Sequence, residues 1–465
     1  MDKLPEISRN YSILTGQLDY FEKKLQNKYV LSTLAEIFAT PLFEDPSDNR
    51  ASLHDFIKTY YYDNFRSISF PESKKFDKKN KPGAVDIKGY LKHFGKPLKL
   101  RMRPACIPPA FSLTEGTSRY MVEVKWIELS FYPSGLAFYS FKIELLTGAL
   151  SLLSLDDISS YVSKLRNVST HILLGTDISS KSILLSEWIS REILRTDSLS
   201  VLWKTDRSRF NKLKVYTAVE YVSSQSGRTE NDDVLYRLSN LLPISTQSPQ
   251  NEPSLEFKED QLKKNSFAMF GNWKLLSILD TTTFLFNSPV GNSIGNPFDN
   301  TEQLFFPLYR HSLFLKHFLY KTNARIDRYS IAHPAQVQIK TIFNNVWNKY
   351  HFRHVSLNYL PNAVYANFLT GMEIDEEAAY LKNRLESIAK SAVETQSKQT
   401  NLILKFLFFA SILSGILGFS NSMKNVLQVT KEVGIVLDRV FLGVVVAVGI
   451  AYGILQAIKN RKHYL

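Results

Sequence analysis

Basic and aromatic residues stand close together at two places before residue 300, where they could bind a phosphorylated ligand. The two sets are Arg101, Arg103, Lys125 and Trp126, and Trp273 with Lys274. An arginine can donate two hydrogen bonds to one phosphate group, and an aromatic ring can stack on a nucleobase. We therefore take these as the candidate ligand-binding residues. The alternative is that the tryptophans belong to the core and the charged residues to the surface.

Signals for catalysis or for a metal centre are weaker. The chain has no Walker A pattern, no GxGxxG motif after a strand and no evident catalytic triad, so we do not expect an enzyme. His351 and His354 are spaced like metal ligands, but no suitable third ligand accompanies them. A group of acids could hold a regulatory divalent cation or be solvated in the first turn of a helix. Its members are Glu373, Asp375, Glu376 and Glu377. The sequence therefore assigns no metal ligands.

The charge of the chain indicates an anionic partner. Its 57 Lys and Arg residues exceed its 44 Asp and Glu residues, which gives a formal net charge of +13. Such an excess favours binding to a nucleotide, a nucleic acid or acidic lipid headgroups. We predict a small anionic nucleotide rather than a stable nucleic-acid partner; the alternative is a basic surface beside an anionic membrane. The single cysteine, Cys106, excludes an intramolecular disulfide and suits a reducing cytoplasm.

The candidate ligand residues fall in a region that mixes strand and helix patterns, which predicts an α/β or α+β domain over residues 1–300. Alternation and a Tyr-Pro-Ser-Gly turn predict a β-hairpin from Tyr120–Phe131 and Leu136–Leu145. Further strands are predicted at Lys212–Val222 and Ser266–Phe286. Helices are predicted at Gln17–Ala39, Asp156–Asn167, Ile183–Arg195 and Asp232–Leu242.

Strand patterns almost vanish after residue 300, so we predict a helical stalk over residues 301–401. Its helices are predicted at Glu302–Thr322, Pro334–Tyr350 and Met372–Lys405. Residues from Ile374 to Leu402 recur at alternating spacings of four and three, which is a heptad seam of the kind that joins helices of neighbouring subunits. The seam is apolar at first and becomes polar at Thr395 and Gln399, just before the first predicted span.

Two apolar runs near the C-terminus predict an integral membrane protein. Leu402–Phe419 and Val440–Ile458 would each span roughly 27–29 Å as helices, close to the thickness of a bilayer core. We assign transmembrane helices to 402–420 and 440–458, an external loop to 421–439 and a basic tail to 459–465. The positive-inside rule places the tail, and therefore the large N-terminal body, in the cytoplasm. This describes a multi-pass protein of the inner (cytoplasmic) membrane; two buried core helices are the alternative.

Small and polar residues form a narrow stripe along the first predicted span. They recur at three- and four-residue spacing and are Ser411, Ser414, Gly415, Gly418 and Ser422. Such a stripe can line a pore in an oligomer. Close helix packing of the small-xxx-small kind explains the same spacing.

This layout resembles the CorA family of divalent-cation channels, which join a cytoplasmic α/β domain to a long helix and two membrane spans. In that family a Gly-Met-Asn signature ends the first span. Here Gly418 matches the glycine, Phe419 and Ser420 replace the other two residues, and Asn421 follows one position later. The resemblance implies a homo-oligomer, expected to be a pentamer, with a changed filter. It also implies a possible divalent cation, and no other resident cofactor is expected.

The lost signature and the large basic N-terminal domain resemble a divergent branch of CorA-like membrane effectors found beside type III CRISPR systems. That resemblance implies an antiviral channel opened by a nucleotide second messenger, either an adenosylmethionine–AMP conjugate or a cyclic oligoadenylate, with ion flow or membrane disruption as the output. Two other functions stay open. One is a transporter of Mg, Co, Ni or Zn ions with an altered filter, and the other is a non-conducting membrane-tethered sensor or scaffold.

Overall fold

The computed structural model describes residues 6–38, 57, 59–69, 97–115, 118–132, 134–146, 153–174, 181–204, 212–222, 228–243, 253–279, 281–287, 297–328 and 334–427. The strands are β1 Glu6–Tyr20, β2 Leu98–Arg101, β3 Phe111–Glu115, β4 Ser118–Tyr132, β5 Leu136–Leu146, β6 His171–Leu174, β7 Lys181–Leu184, β8 Trp203–Lys204, β9 Lys214–Val222, β10 Ser266–Phe267, β11 Trp273–Ile278 and β12 Thr281–Asn287.

The helices are α1 Lys28–Ile37, α2 Asp63–Ser69, α3 Leu155–Arg166, α4 Leu185–Trp188, α5 Thr196–Leu199, α6 Arg228–Asn240, α7 Leu255–Asn265, α8 Pro297–Asn300, α9 Phe306–Ile326, α10 Pro334–Tyr350, α11 Tyr359–Gly371 and α12 Ile374–Leu427. Two short 3-10 turns, Lys24–Gln26 and Pro104–Cys106, and two π-helical segments, Ile189–Ile193 and Thr301–Phe305, complete the described elements. The chain divides into two compact units, one of residues 1–328 and 339–383 and the other of residues 329–338 and 384–465.

The strands of the first unit form one large mixed sheet. Its strand order is β10-β11-β12-β9-β1-β5-β4-β3-β6-β7, with β2 added beside β4 and β8 beside β1. Among the described strands, β9 and β12 form the parallel pair and the other pairings are antiparallel. The N-terminal strand β1 therefore lies in the middle of the sheet, between β5 and β9.

The prediction of a helix over Gln17–Ala39 is wrong for its first half. The strand β1 runs as far as Tyr20, and the helix α1 begins at Lys28. Leu14 and Leu18 explain the error, since a spacing of four residues fits one face of a helix and also one face of a strand. Both leucines are buried in the core beneath the sheet. Asn27 starts α1 by accepting a hydrogen bond from the Tyr29 amide at 2.9 Å.

The predicted β-hairpin is confirmed, and it forms the longest antiparallel pair beside β1. β4 and β5 pair from Tyr132 opposite Leu136 to Met121 opposite Leu146. Ser134 and Gly135 adopt positive φ angles in the turn, as tight hairpin turns require. The register shifts between Val124 and Trp126, which indicates a bulge at Lys125.

Helix α9 packs against the sheet, which differs from the stalk predicted to begin at residue 301. Every residue from 306 to 315 is buried. The Tyr309 hydroxyl donates to the Val215 carbonyl at 3.2 Å, and the Tyr216 hydroxyl donates to the Thr301 carbonyl at 2.9 Å. The unit that holds the sheet therefore extends to residue 328 and takes in residues 339–383.

Helix α12 begins at Ile374 and is described as far as Leu427. Ile374, Ala378 and Leu381, the first residues of the predicted heptad seam, are already buried within the single chain. In the part of the chain that the structure describes, no helix is both long enough and apolar enough to cross a membrane. The second predicted span, 440–458, and the tail, 459–465, lie outside the described residues, as does the loop beyond residue 427.

The end of α11 approaches the β11–β12 connection so closely that only glycine fits at position 371. A Cβ atom there would lie 2.2 Å from the Ser277 carbonyl oxygen, and the Gly371 carbonyl accepts a hydrogen bond from Leu279 at 2.8 Å. We expect Gly371→Ala to lower the free energy of unfolding by about 1–3 kcal/mol, because backbone must move to admit the methyl group. Urea unfolding of the full chain in detergent would measure this. Gly271→Ala is the control, since a Cβ atom there meets nothing within 4 Å, and an equal loss in both variants would contradict the prediction.

Candidate functional site

Two members of the first predicted ligand set lie together on neighbouring strands. The Arg101 guanidinium on β2 stands 4.7 Å from the ring centre of Trp126 on β4. Trp126 is only 7% exposed, and its Nε1 donates to a Glu302 carboxylate oxygen at 2.7 Å. The indole is thus held inside the molecule, with its polar atom satisfied, rather than offered to solvent as a stacking surface.

Lys125 belongs to a row of alternating charges along β4 and β5. Its Nζ lies 2.7 Å from a Glu123 oxygen and 3.2 Å from a Glu144 oxygen. Lys142 continues the row, at 3.1 Å from Glu144 and 2.7 Å from Glu302. The hydrogen bond to Glu123 raises the pKa of Lys125 above its ordinary value. Because two carboxylates already flank Lys125, it offers little net attraction to a phosphate.

Arg103 is the exposed member of this set. It follows β2 and donates from Nη2 to the Ala35 carbonyl at the end of α1, at 3.0 Å. It therefore lies apart from the pair formed by Arg101 and Trp126. The first set thus splits into a buried tryptophan with a half-buried arginine against it, a neutralised lysine and an exposed arginine.

The second set, Trp273 and Lys274, lies on β11 at the other end of the sheet. Trp273 is 4% exposed and packs against Phe284 and Phe286, with ring centres 5.9 and 6.1 Å away. Lys274 points to the opposite face, as alternation along a strand requires, and forms an ion pair with Asp232 of α6.

A cavity of about 360 Å³ opens beside Lys274. In the strand register, Lys274 of β11 lies opposite Leu285 of β12, and Asn287 of β12 lies opposite Tyr221 of β9. The side chains of these four residues therefore share one face of the sheet. The turn between β10 and β11 supplies the remaining wall. The lining residues are Tyr221, Ala268, Met269, Phe270, Gly271, Asn272, Trp273, Lys274, Leu285 and Asn287. We call this site the β11 pocket.

The chemistry of the β11 pocket suits a planar ligand that carries a negative charge. Its volume lies within the range of about 300–1,000 Å³ that is usual for small-molecule sites. Phe270, which is 49% exposed, can cover a ring, and the amides of Asn272 and Asn287 can donate and accept hydrogen bonds. Lys274 supplies the cation, and a bound anion would compete with Asp232 for it. The pocket thus contains one of the two predicted pairs.

Sequence reasoning missed the other residues that line the β11 pocket. They come from β9, from the turn before β11 and from β12, and only the sheet order brings β9 and β12 to this turn, so spacing along the chain could not group them. The one local signal was Phe270-Gly271-Asn272, a turn placed directly before the predicted Trp273-Lys274 pair.

No group of three or more His, Cys, Asp or Glu side chains suited to a metal ion occurs within the described ranges. His351 stacks on Trp347 with ring centres 4.2 Å apart, and its Nε2 lies 3.1 Å from an Asp375 oxygen. Glu377 pairs with Lys316 at 2.7 Å. These contacts give the histidine and two of the predicted acids partners within the chain.

The second half of α12 carries a run of large apolar side chains that are exposed in the single chain. Their exposed fractions range from 40% at Leu402 to 69% at Phe408. The run consists of Leu402, Ile403, Leu404, Phe406, Leu407, Phe408, Phe409 and Ile412. Since successive helix residues are turned by about 100°, these positions point in every direction around the helix. We call this segment the apolar collar.

The predicted pore stripe begins within the apolar collar. Ser411, Ser414 and Gly415 are exposed, and a Cβ atom on Gly415 would meet nothing within 4 Å. The rest of the stripe and the filter-equivalent residues lie on the helix but outside the part whose side chains are described. They are Gly418, Phe419, Ser420, Asn421 and Ser422.

Comparison of the chain with protein-family models, with curated proteins and with solved structures gave no match. A functional conclusion therefore depends on the β11 pocket, the apolar collar and the residues around them.

Proposed function

We propose that this chain is a subunit of a CorA-like, oligomeric membrane channel that a small anionic nucleotide opens from the cytoplasmic side. The observation that carries the proposal is the apolar collar. A helix that is apolar on one stripe can be covered by a single neighbour, whereas a helix that is apolar all round needs an apolar environment on every side. A bilayer, shared with other subunits, provides that environment.

The β11 pocket supports the ligand half of the proposal. It lies in the same unit as the sheet and combines aromatic, amide and lysine side chains in a space that suits a small planar anion. The net charge of +13 favours an anion as well. The resemblance to CRISPR-associated effectors makes an adenosylmethionine–AMP conjugate and cyclic oligoadenylates the first ligands to test.

We expect the purified full chain in liposomes to conduct ions only after such a nucleotide is added. Lys274→Gln should raise the nucleotide concentration for half-maximal flux by about 10–100-fold, since a hydrogen bond to a charged group contributes about 1.5–3 kcal/mol. Lys258→Gln is the matched control. Lys258 pairs with Asp233 as Lys274 pairs with Asp232, but it does not line the β11 pocket.

The other outcomes separate the alternatives. Magnesium flux without nucleotide would favour a divalent-cation transporter with an altered filter. Nucleotide binding without flux would favour a membrane-tethered sensor. Equal effects of the two lysine substitutions on the nucleotide concentration for half-maximal flux would show that the nucleotide does not bind in the β11 pocket.

A further inference from the structure

Charged side chains lie deep in the first unit, on the side of the sheet where α9 packs. Lys99 on β2 and Arg310 on α9 are 6% and 3% exposed, and Glu128 on β4 is 3% exposed. Arg101, with 35% of its side chain exposed, stands at the outer end of the group. We call Lys99, Arg101, Glu128 and Arg310 the buried charge cluster. It holds three cations and one carboxylate.

The single carboxylate is already occupied. Arg310 forms an ion pair with Glu128 through Nη1. Ser130 donates to the same carboxylate at 3.2 Å, and the Arg101 Nη2 lies 3.7 Å from its other oxygen. Among the described residues, Glu128 is therefore occupied by Arg310 and Arg101, and no carboxylate faces Lys99.

Two donors of the cluster have no anionic partner among the described residues. Lys99 donates to the carbonyl oxygen of Ser69 at the end of α2, which is a neutral acceptor. The Nε atom of Arg310 is buried and makes no hydrogen bond within the described chain. The neighbouring His311 adds no charge, since burial lowers its pKa to about 3.

The uncompensated positive charge lowers the stability of the folded protein because it is buried. A buried ion costs several kcal/mol unless a counter-charge and hydrogen bonds compensate it. Burial, followed by the proximity of Arg310, holds the pKa of Lys99 well below its ordinary value. Burial likewise lowers the pKa of Arg310 to about 9. A second anion among these side chains would relieve both penalties and satisfy the Arg310 Nε.

We infer that the buried charge cluster binds one phosphate-like oxyanion, held by Lys99 and Arg310 and reached past Arg101. Arginine forks and lysine ammonium groups are the donors that phosphate oxygens prefer. This site is separate from the β11 pocket, because they lie on strands at different positions of the sheet and share no residue.

The test is thermal unfolding of the full chain in detergent as inorganic phosphate replaces chloride at constant ionic strength. A specific site gives a stabilisation that saturates with phosphate concentration, whereas general exclusion of the salt from the protein surface does not depend on these side chains. We expect Lys99→Met to raise the phosphate concentration that gives half of the maximal stabilisation (the midpoint) at least tenfold. Glu128→Gln, which removes the competing carboxylate, should lower it at least tenfold. Identical curves for all three proteins would overturn the inference.

A second measurement does not depend on the variants folding. A structure of the wild-type chain determined with selenate should show the anion within hydrogen-bonding distance of Lys99 Nζ and Arg310 Nε; a cluster without selenate would overturn the inference. Methyl phosphate, titrated separately, distinguishes the source of the anion. A midpoint equal to that of inorganic phosphate would indicate that the cluster binds the terminal phosphate group of a larger ligand. Loss of the stabilisation with methyl phosphate would indicate that the cluster binds the free ion.

Discussion

Replacing Phe408 and Ile412 together by lysine should prevent the first predicted span from crossing the membrane. Both side chains belong to the apolar collar and are exposed, so the substitution disturbs no packing within the single chain. A lysine near the centre of a bilayer costs about 2.5–3.5 kcal/mol, and two of them cost about 5–7 kcal/mol. Each apolar residue contributes a gain of about 0.3–0.6 kcal/mol to insertion, so the two lysines cancel the gain from roughly ten such residues.

Labelling of a single cysteine would measure the effect. Thr430→Cys, made together with Cys106→Ser, places the only thiol in the predicted external loop, 421–439. A maleimide that cannot cross membranes should label this protein in intact cells, and the two lysines should abolish labelling. Val393→Lys serves as the control, since Val393 is 66% exposed on the same helix but precedes the apolar collar. Unchanged labelling in the double variant would mean that the collar is not a membrane span.

Glu128→Gln should be among the most destabilising single substitutions in the sheet unit. It removes the carboxylate that pairs with Arg310 and lies 3.7 Å from Arg101, and breaking a buried ion pair costs about 3–5 kcal/mol. Lys99→Met should change the free energy of unfolding by less than about 1 kcal/mol. It removes a surplus buried charge and keeps the length and apolar stem of the side chain.

Urea unfolding in phosphate-free buffer, followed by tryptophan fluorescence, compares the two variants directly. Trp126 stands against Arg101 and reports on the cluster. Equal losses in Glu128→Gln and Lys99→Met would show that the charges are balanced in the native state, contrary to the prediction.

The parts of the fold that sequence reasoning predicted are those that local patterns determine. The β4–β5 hairpin has alternating strands and its own turn, and α3 starts with a capping box between Ser154 and Asp157. β1 was missed because its leucine spacing fits two periods, and its partners lie far away in the sequence. Pairing with β5 and β9 decided its conformation.

The candidate site was predictable only in part, for a similar reason. Trp126 looked like an available aromatic because its hydrogen-bond partner, Glu302, lies 176 residues away. The bulge at Lys125 and the row of carboxylates around it depend on the pairing of β4 with β5. Trp273 and Lys274, which are adjacent on β11, both line the β11 pocket, although their side chains point to opposite faces of the sheet. The turn and the two neighbouring strands that complete the β11 pocket could not be read from that pair.

The central position of β1 also affects how the protein is made. β1 leaves the ribosome before its partners β5 and β9, and β9 ends at Val222 opposite Glu6. At about 5–20 residues per second, roughly 10–40 s pass before both neighbours of β1 exist. During that interval the nascent chain exposes an unpaired strand edge, so chaperone protection should matter most before residue 222 is translated. The apolar collar is translated later still, so the sheet can close before the proposed membrane span emerges.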